Sequence, residues 1–307
     1  MIKKNLDKDF DVPDFNADIP LPLQKVGTLG HIFPIRLKLP DAPLFVSTCK
    51  ADIFIGLPAS RRGVHISRIG ETILSNYTKD FESPQQLAFE LAKSVYKSQP
   101  SMGSVVNLSF FWTELDKTPA TNLDSIQSYE IIASACFDEN KSHTSIGVKV
   151  PGITACPCVQ LNAREYYRGL NLDEKLINKQ LSKIPLFSHS QRVLTTSQLK
   201  VYEIQKAFSI DFRQIIKIVR NSISPTYDLL KRIDEVKVVE NAHLYPLFCE
   251  DITRVLALNI TKGFKEIIPE NSELSIDVLS MESIHSYNLS SELRMQVSEI
   301  KRDFKLD

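Results

Sequence analysis

The densest chemistry in the sequence is Thr154-Ala155-Cys156-Pro157-Cys158, directly after a strand-like run ending Lys149-Val150-Pro151-Gly152. A proline between two cysteines forbids continuation of the strand. The Cys156 thiol is therefore presented at a strand end, where a metal ion or a substrate could sit. On its own the pair reads equally well as two packed thiols at a turn, since free cysteine is often core. Further along, Phe187-Ser188-His189-Ser190-Gln191-Arg192 puts an imidazole, an amide and a guanidinium just before a strand. Such groups can ligate, donate hydrogen bonds and grip an anion. Leu229-Leu230-Lys231-Arg232-Ile233-Asp234-Glu235 sets two bases before two acids in a turn after a helix, and Phe248-Cys249-Glu250-Asp251 opens an apolar helix with two acids. Met281-Glu282-Ser283-Ile284-His285-Ser286-Tyr287 follows a strand, and Arg61-Arg62-Gly63-Val64-His65-Ile66-Ser67-Arg68 gathers three arginines and a histidine around one glycine. Each charge cluster also has a bland reading, as a solvated face or a dipole-matched first turn.

Taken together, one thiolate, one imidazole and one carboxylate make a three-ligand site for Zn²⁺ or Fe²⁺ with a fourth position open to water. Open coordination belongs to catalysis. A structural zinc site would fill all four positions with Cys and His, and the chain has no second CxC or CxxC to supply them. No GxGxxG, GxxxxGK[ST] or GxSxG occurs. With ten glycines in all, a nucleotide phosphate would be held by Arg and Lys rather than by a glycine cradle.

The elements that must position these groups follow from periodicity. Val26–Leu39 and Leu44–Leu57 read as strands, Pro84–Gln99 as a helix with Leu87, Phe89, Leu91, Ala92 and Val95 on one face, and Ser104–Leu115, Ser125–Phe137 and Thr144–Val150 as further strands. Ala163–Lys183 is polar and helix-prone; Val193–Ile204 reads as a strand, Asp211–Ser222 and Tyr245–Lys265 as helices, and Glu273–Met281 and Leu293–Arg302 as closing strands. The order strands, helix, strands is followed by strand, helices, strands. This predicts an α+β protein of two related units, each an antiparallel sheet with helices packed on one face, at residues 26–150 and 151–307. A single irregular sheet is the alternative. Residues 1–25, with Pro13, Pro20 and Pro22 among acids, read as an N-terminal arm. The 307 residues carry 37 Lys+Arg against 37 Asp+Glu, so no general field favours nucleic acid or an anionic membrane. No apolar run is long enough to span a bilayer, and five scattered cysteines fit reduced thiols, which together predict a cytoplasmic protein.

In this order, Arg62-Gly63-Val64-His65-Ile66-Ser67-Arg68, Cys156-Pro157-Cys158, His189-Ser190-Gln191-Arg192, the 229–235 segment, Phe248-Cys249-Glu250-Asp251 and Glu282-Ser283-Ile284-His285 resemble the signature segments of the GTP cyclohydrolase IB family, over residues from about 26 to 290. The resemblance implies two tunnelling folds per subunit and a homotetramer with interfacial active sites. It implies GTP and water as substrates, and one divalent metal per site, Fe²⁺, Mn²⁺ or Zn²⁺, held by Cys156, His189 and Glu235. Cys158, His285 and Glu250 match family catalytic positions, with Glu250 anchoring the guanine edge. Gln191, Arg192, Lys231, Arg232, Arg62, His65 and Arg68 are the substrate candidates. The activity so implied is hydrolytic opening of the guanine imidazole ring, with release of formate and formation of a 7,8-dihydroneopterin phosphate at the head of folate or pterin biosynthesis. Two features depart from the family pattern: a long polar stretch between Cys158 and His189, including 171–183, and Tyr287 where a second histidine is common. Two rivals remain: a non-catalytic tunnelling-fold protein that binds a purine or pterin, and a redox-sensitive thiol protein using Cys156 and Cys158.

Overall fold

The computed structural model describes residues 11–170, 173–181 and 184–306. The chain separates into two compact units, Met1–Phe110 with Ala133–Thr144, and Phe111–Ile132 with Ser145–Asp307. Its strands are β1 (Leu23–Leu37), β2 (Phe45–Leu57), β3 (Ser104–Lys117), β4 (Asp124–Phe137), β5 (His143–Ala155), β6 (Ser190–Val201), β7 (Ser224–Pro225), β8 (Glu273–Met281) and β9 (Leu289–Gln296). Its helices are α1 (Ile66–Asn76), α2 (Pro84–Ser98), α3 (Pro157–Gly169), α4 (Glu174–Leu181), α5 (Ile204–Phe208), α6 (Phe212–Ser222), α7 (Arg232–Leu244), α8 (Cys249–Gly263) and α9 (Val297–Phe304). Among the described residues, no helix is long and apolar enough to cross a membrane.

In the first unit β1 and β2 pair antiparallel, Phe33 opposite Cys49, and β2 pairs in turn with β3, Ile53 opposite Val106. Alternation along β2 buries Cys49, Ala51, Ile53 and Ile55. Helix α2 covers this apolar face. Pro84 occupies its first turn, the Ser83 hydroxyl accepts from Gln86 N at 3.2 Å, and Leu87, Ala88, Leu91, Ala92 and Val95 form its buried stripe. Gly27 is required by close approach, because a Cβ there would meet the Ile53 carbonyl oxygen at 1.9 Å.

In the second unit β6 pairs antiparallel with β8 from Arg192–Met281 to Lys200–Glu273, and β8 with β9, while β7 adds Pro225 opposite Gly152 of β5. Helix α8 lies over β8 and β9 and buries Cys249, Ile252, Thr253, Leu256, Ala257 and Ile260, the helical spacing that the 245–265 pattern predicts. At Gly147 a Cβ would stand 2.8 Å from the Ser197 carbonyl oxygen of β6, so only glycine lets these strands approach.

Several expectations are corrected. The last predicted strand, Leu293–Arg302, is strand only to Gln296; Val297 and Ile300 then turn inward at helical spacing in α9. The 229–235 segment is not wholly a turn, since Arg232 already opens α7 and places Asp234 and Glu235 in its first turn. The 61–68 loop ends at His65, and α1 begins with Ile66. The helix-prone stretch 163–183 is two helices, α3 starting at Pro157 and α4 at Glu174; within it residues 171, 172, 182 and 183 lie outside the described residues, as do residues 1–10 of the N-terminal arm.

Candidate active site

Cys156 stands where β5 stops and α3 starts. It is the N-cap residue of α3 with extended backbone (φ −79°, ψ 117°), and Pro157 in the first helical turn needs no hydrogen bond for its missing N–H. The segment before β6 runs against it: Cys156 N donates to the His189 carbonyl oxygen at 3.1 Å and the Ser188 hydroxyl donates to the Cys156 carbonyl oxygen at 2.7 Å. Two residues far apart in the chain, Cys156 and His189, thus become neighbours through their backbones. Both are half-buried, while Cys158, one residue into α3, is exposed.

The His189 ring opens a polar array. Its Nδ1 lies 3.4 Å from the Ser283 hydroxyl, its plane is perpendicular to the His285 ring at 6.5 Å, and His285 stacks on Tyr287 at 5.1 Å with 9° between planes. Next to it on β6, Gln191 Nε2 donates to Glu282 Oε1 at 3.4 Å, and the Ser280 hydroxyl donates to the same oxygen at 2.7 Å. Gln191 Oε1 is buried without a hydrogen-bond partner among the described residues. Arg192 is exposed opposite Met281.

Glu250 enters from the first turn of α8. Two bonds fix that turn to the end of β5: the Thr154 hydroxyl donates to the Leu247 carbonyl oxygen at 2.6 Å and accepts from Leu247 N at 3.3 Å. The Cys249 thiol donates to Glu250 Oε2 at 3.2 Å. The Glu250 backbone N–H and that thiol hold its exposed carboxyl below the ordinary range, so it is ionised at neutral pH. The thiol itself is pushed up to about 11, first by burial and then by Glu250, with Glu282 adding to the negative field.

Asp234 anchors the first turn of α7. Its carboxylate accepts from Ala120 N (2.9 Å), Thr121 N (2.8 Å), the Thr121 hydroxyl (2.7 Å) and Lys231 N (2.9 Å). Burial works to raise its pKa, but these donors win and hold it far below the ordinary carboxylate range. Beside it, half-buried Glu235 is paired with Arg232 at 3.0 Å rather than with Cys156 or His189. Arg232 and Lys231 are exposed.

The other sequence candidates lie in the first unit and are engaged by acids. His65, only 5% exposed, has Nδ1 2.9 Å from Asp11 and Nε2 3.3 Å from Asp14; Arg61 pairs with Asp14, Arg68 Nη2 lies 3.8 Å from Asp11 and Arg62 Nη2 lies 3.6 Å from Asp18. Among the described residues, Asp11, Asp14 and His65 are the group of three whose ligand atoms lie within 4.8 Å of one another and could hold a metal ion. Arg61 and Arg68 already offset the two carboxylates, which lowers the attraction for a cation.

Reasoning from sequence missed Asp234, Gln160 and His243. Asp234 was visible only as part of a charge cluster. Gln160 follows Cys156 by one helical turn, and the single histidine in Asn241-Ala242-His243 carries no pattern of its own.

Antiparallel sheets with helices on one face, and a chemistry-bearing corner at a strand end, define a tunnelling-fold protein. The uricase from Arthrobacter globiformis shares this fold with a TM-score of 0.54 at 8% identity, over 89% of this chain and 93% of that one. At that identity the likeness concerns the fold alone. The sequence is more specific: residues 10–291 match the family described as type I GTP cyclohydrolase folE2, and the chain belongs to that family. Curated relatives include GTP cyclohydrolase MptA from Methanococcus maripaludis strain C5, 30% identical over 96% of this chain and 98% of the relative. The proteins of the same name from Methanosarcina mazei and Methanocaldococcus jannaschii are 29% and 28% identical over similar spans.

Proposed function

We propose that the chain is a metal-dependent GTP cyclohydrolase of the IB type. It hydrolyses the guanine imidazole ring of GTP, releases C8 as formate and leads to a 7,8-dihydroneopterin phosphate, either the linear triphosphate or a cyclic phosphate. The observation that carries the reading is the joining of Cys156 to His189 at the end of β5, with the His285–Tyr287 stack and Glu250 presented by neighbouring elements of the same unit.

The donor chemistry suits a divalent cation. Cys156 and His189 are joined through their backbones, and a carboxylate is available from Glu235, whose partner Arg232 is 93% exposed and easily exchanged. Among the described residues the three ligand atoms do not stand within 4.8 Å of one another, so binding would draw them together. When bound, the cation supplies the Lewis acidity that makes water a competent nucleophile near neutral pH. The rest falls to the protein. Ionised Glu250 accepts from guanine N1–H and the 2-amino group, a bidentate match that fixes the purine edge. His285 exchanges protons with the opening ring, Tyr287 holds its plane by stacking, and Cys158 is the second thiol at the site. Gln191, with one amide oxygen unsatisfied, and Arg192 contact the substrate from β6; Lys231 and Arg232, and Arg62, His65 and Arg68 of the first unit, are candidates for the phosphates. In the homotetramer that the reading implies, a second copy of the chain completes each site.

Anaerobic incubation with GTP and Fe²⁺, Mn²⁺ or Zn²⁺ in turn, assayed for formate and for pterin fluorescence after oxidation, tests this. Both products are expected from the parent and neither from Cys156→Ala. Guanine binding with no formate under any of the three metals would replace the enzyme by a purine-binding tunnelling-fold protein.

A further inference from the structure

Two side chains with no assigned role tie together the three segments that carry Cys156, His189 and Glu235. Gln160, one turn into α3, uses both hydrogens of its amide: Nε2 donates to the Leu186 carbonyl oxygen at 3.1 Å and to the His243 carbonyl oxygen at 2.7 Å. His243, near the end of α7 and 9% exposed, has Nδ1 2.8 Å from the Val239 carbonyl oxygen of its own helix and Nε2 3.0 Å from the Ser188 carbonyl oxygen. Ser188 then bonds Cys156, and Cys156 bonds His189. The ring is closed: α3 to residues 186–189, these to α7, and α7 back to α3.

Buried carbonyls left without donors cost free energy, so this ring has one low-energy arrangement rather than a range of them. The cavity of about 450 Å³ beside it is lined by Pro157, Leu161, Pro185, Leu244 and Pro246 as well as by Gln160 and His243. Its wall also carries Arg164, whose Nη2 donates to Asn178 Oδ1 at 2.6 Å; the remaining walls are apolar and offer the carbonyls few replacement donors.

We propose that Gln160 and His243 are positioning residues for the metal site. They set the spacing of Cys156 to His189 and hold the helix whose first turn carries Glu235, without touching metal or substrate. This rests on the metal-dependent reading above. Groups bonded directly to a ligand commonly change metal affinity by about 10–100-fold when lost. His243 acts one step further out, through Ser188, which bonds Cys156, and Gln160 acts through His243 and Leu186.

The test uses Co²⁺ as the probe metal, titrated anaerobically into the full chain stripped of metal, with the thiolate-to-Co²⁺ charge-transfer absorption as readout and thermal melting as the check on folding. The parent is expected to show the band and Cys156→Ala to lack it. His243→Phe, which keeps an aromatic ring but removes the ring N–H and with it any donation to Ser188 or Val239, is expected to weaken Co²⁺ binding by up to about 10–100-fold. His243→Gln, whose amide can again donate towards Ser188, should return to within about threefold of the parent, a rescue that loss of packing would not produce. If His243→Phe does not fold, Gln160→Met at a half-buried site reads the same ring and should weaken binding similarly. Folded variants that bind Co²⁺ within about threefold of the parent, beside a parent with the Cys156-dependent band, overturn this inference alone. A parent without the band, or a band that survives in Cys156→Ala, overturns the metal reading and this inference with it.

Discussion

The basic loop of the first unit and the thiol corner of the second are both rich in chemically capable groups, but they are satisfied differently. At 61–68, Arg61, Arg62, His65 and Arg68 each face a carboxylate of Asp11, Asp14 or Asp18. At the corner, hydrogen bonds hold the backbones of Cys156 and His189 while their side chains remain half-exposed. Density of charge thus marks the first region, and unspent bonding capacity marks the second. Chemistry needs the latter, because a group already saturated by neighbours must lose them before it can act.

The strongest way to break this contrast is Cys156→Ala. Formate release is expected to fall at least about a hundredfold, while the melting temperature moves little because the thiol is not a core group; a full-rate variant in a formate assay would remove the corner from the chemistry. Asp234→Ala separates holding from reacting. It strips the shared acceptor from four donors at the start of α7, and calorimetry should show a melting point lower by about 5–10 °C. An unchanged melting point would mean that those donors find water at no cost.

The saturated region is sharpened by Asp11→Asn with Asp14→Asn. If arginines released from these acids meet phosphates, steady-state kinetics should show KM for GTP falling about two- to fivefold with kcat unchanged. Bound-metal analysis should find no lost equivalent, whereas loss of one would make Asp11, Asp14 and His65 a genuine cation site. The smallest effect concerns the thiols. Burial pushes Cys49 up to about 12, and burial with Glu250 pushes Cys249 up to about 11. Peptide mapping after alkylation at pH 8 should therefore find exposed Cys158 modified more than tenfold faster than either. Both shifts are upward from 9, so the unfolded chain ionises first: the contribution of these thiols is whole below pH 9 and is lost as pH rises towards 11 and 12. Melting temperatures read across that interval should decline.

Elements that bury one clean face were legible in the sequence. Helix α2 was expected at Pro84–Gln99 and ends at Ser98; α6 was expected at Asp211–Ser222 and begins at Phe212; α8 has the predicted stripe, although its first turn starts at Cys249 rather than Tyr245. Helix α7 was not, because it buries Asp234, Val238, Ala242 and His243, two of them polar, and its remaining apolar residues Ile233, Val236, Val239 and Leu244 face outward. Its stability comes from Asp234 and His243, and tertiary bonds of that kind leave no periodicity. The same holds for the corner. Residue types named Cys156 and His189, but only the pairing of Cys156 N with the His189 carbonyl joins them, and nothing in the intervening residues encodes it.

That pairing also sets what the family can vary. The excursion from Pro157 to Ser188 leaves and returns through a neck closed by the Cys156–His189 and Ser188–Cys156 bonds. Lengthening a loop whose ends are already fastened costs little, about 0.6 kcal/mol for each doubling. Residues of the polar stretch that lie outside both the neck and the Gln160–Leu186 bond can be gained or shed without altering the distance across it, so the length of that stretch is free to vary without a burden on the chemistry.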